Sequence, residues 1–358
     1  MTVSPAVVDS RGIWDATFGL PEQVAAAAEA AREVDGLPGH DDVENVVVLG
    51  MGDSGFVGDV LTAVAAPFMP VPVTVVKGYV PPDYVGTGSL VLAVSFSGDT
   101  EETVEAATAA YEAGAALVVV SGGGELVRLS GEWDVPLVPV PVSIPEARTA
   151  LGAMAVPPLV LLEAIGLFPG AQQWIDLAVD QLSRRRDQLG RDGNVAELTA
   201  RRIGRTIPLV HSSQDLGAAA ALRWKCQINE SAKSPAFWNV HPELCHNEVA
   251  GWGLNGDATR QLITLVNLRH DAEHPQVSRR FDLVTEALRE VMADVVEVRA
   301  AGEGDLAQLL DLSLVGDVVA LHLAGSEGVD PGPVPVVDDI KHVLAAGDDA
   351  RTAPANRT

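Results

Sequence analysis

The stretch that decides the fold is residues 45–55, NVVVLGMGDSG, in which a short apolar run ends in a glycine-rich loop. A second stretch of the same design, residues 90–103, reads LVLAVSFSGDTEET. Further β-branched runs, VPVTVV and ALVVVS, lie between these stretches and after them. Continuous apolar strands that alternate with helix-forming segments are typical of a parallel sheet covered by helices on both faces. The sequence therefore predicts an α/β fold.

The same alternation occurs twice along the chain, with TIPLVHSS, QLITLVNLR and VVEVRA as strands of the second half. Two domains of similar architecture are therefore predicted. The expected boundaries are 1–40 for an N-terminal helical segment, 41–170 for the first domain, 171–195 for a connecting helix, 196–345 for the second domain and 346–358 for a disordered tail.

Composition and charge exclude several classes of protein. The chain has 358 residues, 47% hydrophobic and 20% charged, which is the profile of a globular protein. Its formal net charge of −25 repels phosphate backbones and anionic headgroups, so neither nucleic acid nor a membrane is an expected partner. Two cysteines without zinc-site spacing and no visible secretory signal favour a cytoplasmic protein without a metal site.

The glycine-rich loop is open to more than one interpretation. Gly50, Gly52 and Gly55 satisfy G-x-G-x-x-G, the fingerprint of dinucleotide-binding folds. That fingerprint expects an acidic residue at the end of the second strand, where this chain has Lys77. The glycines could otherwise only allow a tight turn between strand and helix.

The second loop favours a phosphate group. Hydroxyls of Ser95, Ser97 and Thr100, together with amides at the N-terminus of the next helix, would form a neutral pocket for a phosphate dianion without any lysine. Gly52 and Ser54 of the first loop would contribute from the neighbouring strand. The alternative is that Thr100 only caps its helix and that both serines are ordinary turn residues.

Together the two loops resemble the signature loops of the sugar isomerase (SIS) domain. The stretch 229–252, NESAKSPAFWNVHPELCHNEVAGW, the segment PEARTALGAM around Arg148, and a terminal helix with Lys341 extend the likeness to the bifunctional phosphoglucose/phosphomannose isomerases. The resemblance implies two SIS-type domains, each a flavodoxin-like three-layer sandwich. It also implies interconversion of glucose 6-phosphate or mannose 6-phosphate with fructose 6-phosphate through an enediol(ate), without metal or organic cofactor.

The resemblance further implies roles for four residues. Glu230 would be the base that moves the proton between C1 and C2, and Arg148 would stabilise the enediolate; general-base and oxyanion chemistry require these residue types. His246 and Lys341 would assist ring opening, with the histidine supplied by the partner in a homodimer with a shared active site. Each residue also has a simpler explanation: Glu230 could pair with Lys233 on a helix surface, His246 could be a cap or core histidine, and Lys341 could favour a helix C-terminus.

Three residues depart from the usual pattern of that family. Asp53 and Asp99 stand in the two loops where glycine and asparagine are common, and Gly332 stands where threonine is frequent. Two carboxylates beside a phosphate pocket would weaken binding unless they point away from it.

A non-catalytic sugar-phosphate-binding regulator, which needs the pocket but not the base, is the alternative function. The isomerase half of glucosamine 6-phosphate synthase is a related enzyme, but that enzyme has a glutaminase cysteine near its start, and this chain has none there.

Overall fold

The structure is a computed structural model that describes residues 8–345. The predicted tail, 346–358, lies outside the described residues. Two short helices come first, α1 (Ile13–Phe18) and α2 (Leu20–Ala31). Both helices lie within the predicted N-terminal helical segment, 1–40.

Five parallel strands form the first sheet, in the order β2-β1-β3-β4-β5. Their bounds are β1 (Asn45–Leu49), β2 (Val73–Val76), β3 (Ser89–Ser95), β4 (Ala116–Ser121) and β5 (Leu137–Pro139). The helices between and after them are α3 (Gly52–Val64), α4 (Glu101–Glu112), α5 (Gly124–Trp133) and α6 (Leu151–Ile165).

Both faces of this sheet are covered. Val46 and Val48 of β1 belong to one hydrophobic cluster, whereas Val47 and Leu49 belong to another. Because successive side chains of a strand point to opposite faces, the two clusters lie on opposite sides of the sheet. The predicted three-layer arrangement of the first half is therefore confirmed.

Four parallel strands form the second sheet, in the order β7-β6-β8-β9. Its elements, after α7 (Ala171–Leu189) and α8 (Val195–Ile203), are β6 (Ile207–Ser213), α9 (Leu216–Ser231), β7 (Phe237–His241), α10 (Gly256–Leu262), β8 (Ile263–Arg269), α11 (Pro275–Leu288), β9 (Asp294–Arg299), α12 (Asp305–Glu327) and α13 (Pro335–Ala345). The predicted α/β class with parallel sheets is confirmed. Two edge strands, β5 and β7, were not predicted.

One continuous core joins the two halves, since the cluster that contains Val46 also contains Val210 of the second sheet. The helix α12 packs against α7, α8 and α9. The helix α3 packs against both α6 and α9. By length and composition α12 resembles a membrane span, but 94% of its apolar window is buried inside the protein, as in a core helix. The contact between α3 and α9 determines where the candidate site is built.

Candidate active site

The two predicted loops meet at the carboxyl edge of the first sheet. The strands β1 and β3 are neighbours there, with Leu49 beside Ala93, at the point where the strand order reverses. Ligands of open parallel sheets bind in the crevice at this kind of position. The amide of Phe96 donates a hydrogen bond to Ser54 Oγ at 3.1 Å, which ties the two loops together.

Glycine is required at two positions of these loops. Gly52 has φ +54° and Gly98 has φ +79°, both in the left-handed region that side chains rarely adopt. A Cβ on Gly98 would also overlap the carbonyl oxygen of Gly123. The glycines bring the N-termini of α3 and α4 to the crevice, where first-turn amides can bind an anion.

The predicted phosphate ligands divide into two groups by exposure. Gly52 and Ser97 are exposed and Thr100 is half-buried, so these three can face a ligand. Ser54 and Ser95 are 6% and 0% exposed. Ser95 Oγ accepts from the amide of Gly98 at 3.1 Å and lies 3.0 Å from Thr100 Oγ1. Ser54 and Ser95 therefore stabilise the loops, and Ser95 contacts Thr100; the contact of both serines with phosphate stays a prediction.

The helix-cap alternative for Thr100 is not what the structure has. Thr100 stands at the N-cap of α4, yet its side chain makes no capping hydrogen bond. Its hydroxyl pairs with Ser95 instead, which leaves the amides at the start of α4 without a side-chain acceptor from this residue.

The carboxylates of Asp53 and Asp99 both point away from the crevice. Asp99 Oδ1 accepts from the amide of Glu125 at 2.8 Å, in the first turn of α5. Asp53 faces α9, where its Oδ1 lies 3.6 Å from Arg223 Nη1 and accepts from Gln227 Nε2 at 3.3 Å. The expected repulsion of a phosphate group is therefore reduced by orientation.

Glu230 lies in the last turn of α9, beside the crevice. Its Oε2 is 3.9 Å from Arg148 Nη1, and its side chain is 32% exposed, so a ligand can reach it. Burial, followed by the negative charge of Asp53, raises the pKa of Glu230 to about 7. The surface pairing with Lys233 is not found, because the Lys233 amine bonds the backbone carbonyl of Glu230. A carboxyl with this pKa can both take up and release a proton near neutral pH.

Arg148 is a buried cation whose position is determined by backbone carbonyls. It lies in a 3₁₀ turn, Ala147–Thr149, just ahead of α6, and is 4% exposed. Its Nη2 donates to the carbonyl of Pro331 at 2.7 Å and to that of Gly332. Its Nη1 lies 3.5 Å from Glu146 and faces Glu230. This geometry holds a permanent positive charge beside the predicted base.

A buried ion pair behind the site was missed by the sequence analysis. Arg223 donates from Nε and Nη2 to the two carboxylate oxygens of Asp317 at 2.9 and 2.6 Å, and from Nη2 to the carbonyl of Arg148 at 2.8 Å. Two signals could have indicated it. Arg223 and Glu230 are seven residues apart, on the same face of a helix, and Asp317 is a charge inside the apolar helix α12.

His246 and Lys341 are not brought to Glu230 within this chain. His246 is exposed on a 3₁₀ turn, Glu243–His246, after β7, and Lys341 is exposed on α13. Among residues 8–345, neither side chain has a hydrogen bond or ion pair with Glu230 or Arg148. The predicted constellation of four residues is therefore only half assembled in one copy of the chain.

The segment that carries His246 is nevertheless held by a buried network. Glu248 accepts from Asn239 Nδ2 at 2.8 Å and lies 2.7 Å from Nε2 of His211, which is fully buried in β6. Burial raises the pKa of Glu248, but the hydrogen bonds with His211 and Asn239 oppose this effect, and the pKa lies below its usual value. This network anchors the segment to β6 and β7 and leaves His246 at the surface.

The remaining candidates for cofactor binding do not converge. Lys77, just after β2, forms an ion pair with Asp59 at 2.5 Å. A lysine at this position cannot accept the hydrogen bonds of a dinucleotide ribose, which require an acidic residue there. Within residues 8–345, no group of three or more His, Cys, Asp or Glu side chains is placed to hold a metal ion.

Comparisons with known proteins identify relatives of this chain. Residues 192–344 match the family model of the bacterial phospho-glucose isomerase C-terminal SIS domain. The bifunctional phosphoglucose/phosphomannose isomerase of Caldicellulosiruptor bescii is 30% identical over 340 residues, which cover 93% of this chain and 99% of that protein. The enzyme of the same name from Aquifex aeolicus is 32% identical and covers 84% of this chain and 90% of its own.

A solved structure shows the same fold at lower identity. The C-terminal domain of glucosamine-fructose-6-phosphate aminotransferase from Francisella tularensis superimposes with a TM-score of 0.67 at 16% identity. The superposition covers 90% of this chain and 98% of that domain.

Proposed function

Because this chain belongs to the family of bifunctional phosphoglucose/phosphomannose isomerases, we propose that it interconverts glucose 6-phosphate and mannose 6-phosphate with fructose 6-phosphate. The observation that carries the proposal is the pairing of Glu230 with Arg148, 3.9 Å apart beside the crevice between β1 and β3. A regulator that only binds a sugar phosphate would need the crevice but not a carboxylate and a buried guanidinium beside it.

The crevice supplies the phosphate site. Amides at the N-termini of α3 and α4, with the hydroxyls of Ser97 and Thr100, bind the dianion at the 6-position. This contact places the other end of an open-chain hexose toward the last turn of α9, where Glu230 lies.

Glu230 and Arg148 then carry the proton transfer. The Glu230 carboxylate takes the proton from C2 of the aldose, the C–H electron pair becomes the C1=C2 bond, and the negative charge passes to the carbonyl oxygen at C1. The Arg148 guanidinium holds that charge, since it is positioned before the reaction and cannot lose its own proton. Return of the proton from Glu230 to C1, with transfer of the hydroxyl proton from O2 to O1, gives the ketose.

The same base serves both epimers. Return of the proton to C2 instead of C1 gives an aldose, and the face of C2 that receives it decides between the glucose and mannose configurations. One carboxyl with a pKa of about 7 is therefore sufficient for both activities.

The active unit is a homodimer in this proposal. His246 is exposed on an anchored segment, and every described side chain from 335 to 344 of α13 is exposed, including the apolar residues Val336, Ile340 and Leu344. An amphipathic helix normally buries its apolar face, and a second copy of the chain would bury this one and bring His246 to the neighbouring crevice.

Two experiments test these proposals. Purified protein is incubated with glucose 6-phosphate or mannose 6-phosphate and fructose 6-phosphate is measured; binding of both sugars without turnover would support the regulator instead. For the dimer, inactive Glu230→Gln and His246→Ala variants are mixed after separate purification and allowed to exchange subunits. A shared site restores about a quarter of wild-type activity, because half of the dimers then contain one intact site; a site formed within one chain restores none.

A further inference from the structure

One face of α9 connects the phosphate loop with the predicted base. Arg223, Gln227 and Glu230 are spaced by four and three residues, so their side chains lie along the same side of the helix. Asp53, in the first turn of α3, faces this side and contacts Arg223 and Gln227. Asp53 lies between Gly52 and Ser54 in the chain. Its backbone is therefore part of the phosphate loop, whereas its side chain contacts α9.

The charges in this buried contact do not balance. Asp317 binds both Nε and Nη2 of Arg223, at 2.9 and 2.6 Å. Asp53 is left with Nη1 at 3.6 Å, beyond hydrogen-bond distance, and with the neutral amide of Gln227. Two buried carboxylates therefore share one guanidinium. Burial raises the pKa of Asp53, and the charges of Arg223 and Arg148 oppose this rise without cancelling it, so the charge of Asp53 is only partly compensated.

Few other groups act on Glu230. The titratable and charged groups that face it are Asp53 on α3, Arg148 ahead of α6, Arg223 and Cys226 on α9 itself, and Lys233 just after α9. Cys226 is a neutral thiol at neutral pH, because burial raises its pKa to about 11. Two further carboxylates contact these cations: Glu146 contacts Arg148, and Asp317 contacts Arg223. Asp53 is thus the negative charge in this set, and it opposes three cations.

We propose that Asp53 is a positioning residue for the proton-transfer step: its partly compensated carboxylate disfavours ionisation of Glu230 and so determines the pH at which the base becomes available. Removal of the Asp53 charge should leave Arg148, Arg223 and Lys233 to favour ionisation of Glu230, which makes Glu230 a stronger acid and a weaker base. The effect on Glu230 is independent of the reaction, whereas its kinetic consequence rests on the proposed function.

The test replaces Asp53 with asparagine and uses Asp99→Asn as its matched control. Both residues are aspartates in the crevice loops, but the Asp99 carboxylate is bonded to the amide of Glu125 at the start of α5. The Glu230 carboxyl is followed by ¹³C NMR between pH 4 and 9 in protein without substrate, with Glu230→Gln to assign its signal. We expect Asp53→Asn to increase the acidity of Glu230 about tenfold and Asp99→Asn to leave it unchanged.

Kinetics give the second readout. In Asp53→Asn the acidic limb of the kcat/KM profile should move to lower pH by the same amount, while the profile of Asp99→Asn should coincide with wild type. An unchanged Glu230 titration in folded Asp53→Asn, or an equal shift in Asp99→Asn, would overturn the inference. A shifted titration in a protein that does not turn over hexose 6-phosphates would overturn the proposed function and leave this inference standing. If Asp53→Asn does not fold, Asp53→Ser carries the same expectation, since serine is well tolerated at the start of a helix.

Discussion

Replacement of Glu230 with glutamine should remove activity and stabilise the protein at the same time. Glutamine keeps the size of the side chain but cannot accept the C2 proton, and loss of a general base lowers kcat by about 10²- to 10⁴-fold. Isomerisation of both aldoses should be lost together. Deuterium incorporation from heavy water, which reports the proton transfer itself, should fall in parallel.

The stability change follows from the environment of the carboxyl. Burial and Asp53 move the Glu230 pKa from its usual value near 4.5 to about 7. Between these values the folded state binds more protons than the unfolded chain, so stability falls as pH rises, and the full penalty is present above about pH 7. A shift of this size corresponds to about 3 kcal/mol at most, and the solvent-exposed part of the side chain, 32%, reduces it to about 1–2 kcal/mol.

The assay is thermal unfolding of wild type and Glu230→Gln at pH 8 and at pH 4.5, with turnover measured on the same samples. For a chain of 358 residues, 1–2 kcal/mol corresponds to a gain of about 2 °C in Tm at pH 8. The gain should disappear near pH 4.5, where the wild-type carboxyl is protonated. Glu290→Gln, at an exposed position, is the control and should change neither quantity. An active Glu230→Gln variant would refute the assignment of Glu230 as the general base. A variant that is less stable than wild type at pH 8 would refute the raised pKa of its carboxyl.

Three further outcomes are expected. Ser97→Ala should raise KM for hexose 6-phosphates several-fold with little change in kcat, because one hydroxyl of the phosphate site is lost; steady-state kinetics with free glucose as the control measure this. Arg223→Met should lower the free energy of unfolding by about 3–5 kcal/mol, since it leaves the carboxylates of Asp53 and Asp317 buried without their cation. The loss, measured by denaturant unfolding, should be larger at pH 8 than at pH 5, where these carboxyls can take up protons. Activity should survive treatment with a chelator, because no metal-binding cluster occurs in residues 8–345.

The fold could be predicted where a strand shows a run of apolar or β-branched residues. The β1 and β3 runs are continuously apolar because both of their faces lie in hydrophobic clusters. The strands β5 and β7 lie at the sheet edges and pair with one neighbour each. The first has three residues and ends in Pro139, and the second contains Asn239 and begins at the exposed Phe237, so neither shows the apolar run that identifies a central strand.

The candidate site was predictable as far as it is local in sequence. The loops of Gly52 and Thr100 follow their strands directly, and the order of parallel strands brings them to one edge. The exposure of individual hydroxyls was not predictable, because it depends on which partner each one finds after folding. Ser95 and Ser97 are two residues apart in one loop, yet one is fully buried and the other exposed.

A local motif does not predict the effect of charged groups that are distant in the sequence. In the loop alone, Asp53 counts as an unfavourable neighbour of a phosphate group. In the fold, its carboxylate meets Arg223 and Gln227, which are 170 and 174 residues away in sequence, and Arg223 is itself held by Asp317 from a third helix. The residue that weakens the resemblance of the loop to its family is therefore the one that connects the loop to α9, the helix that carries Glu230. A departure from a motif can be judged only after the partner of the new side chain is known, because a buried charge derives its energetic effect from the groups that surround it.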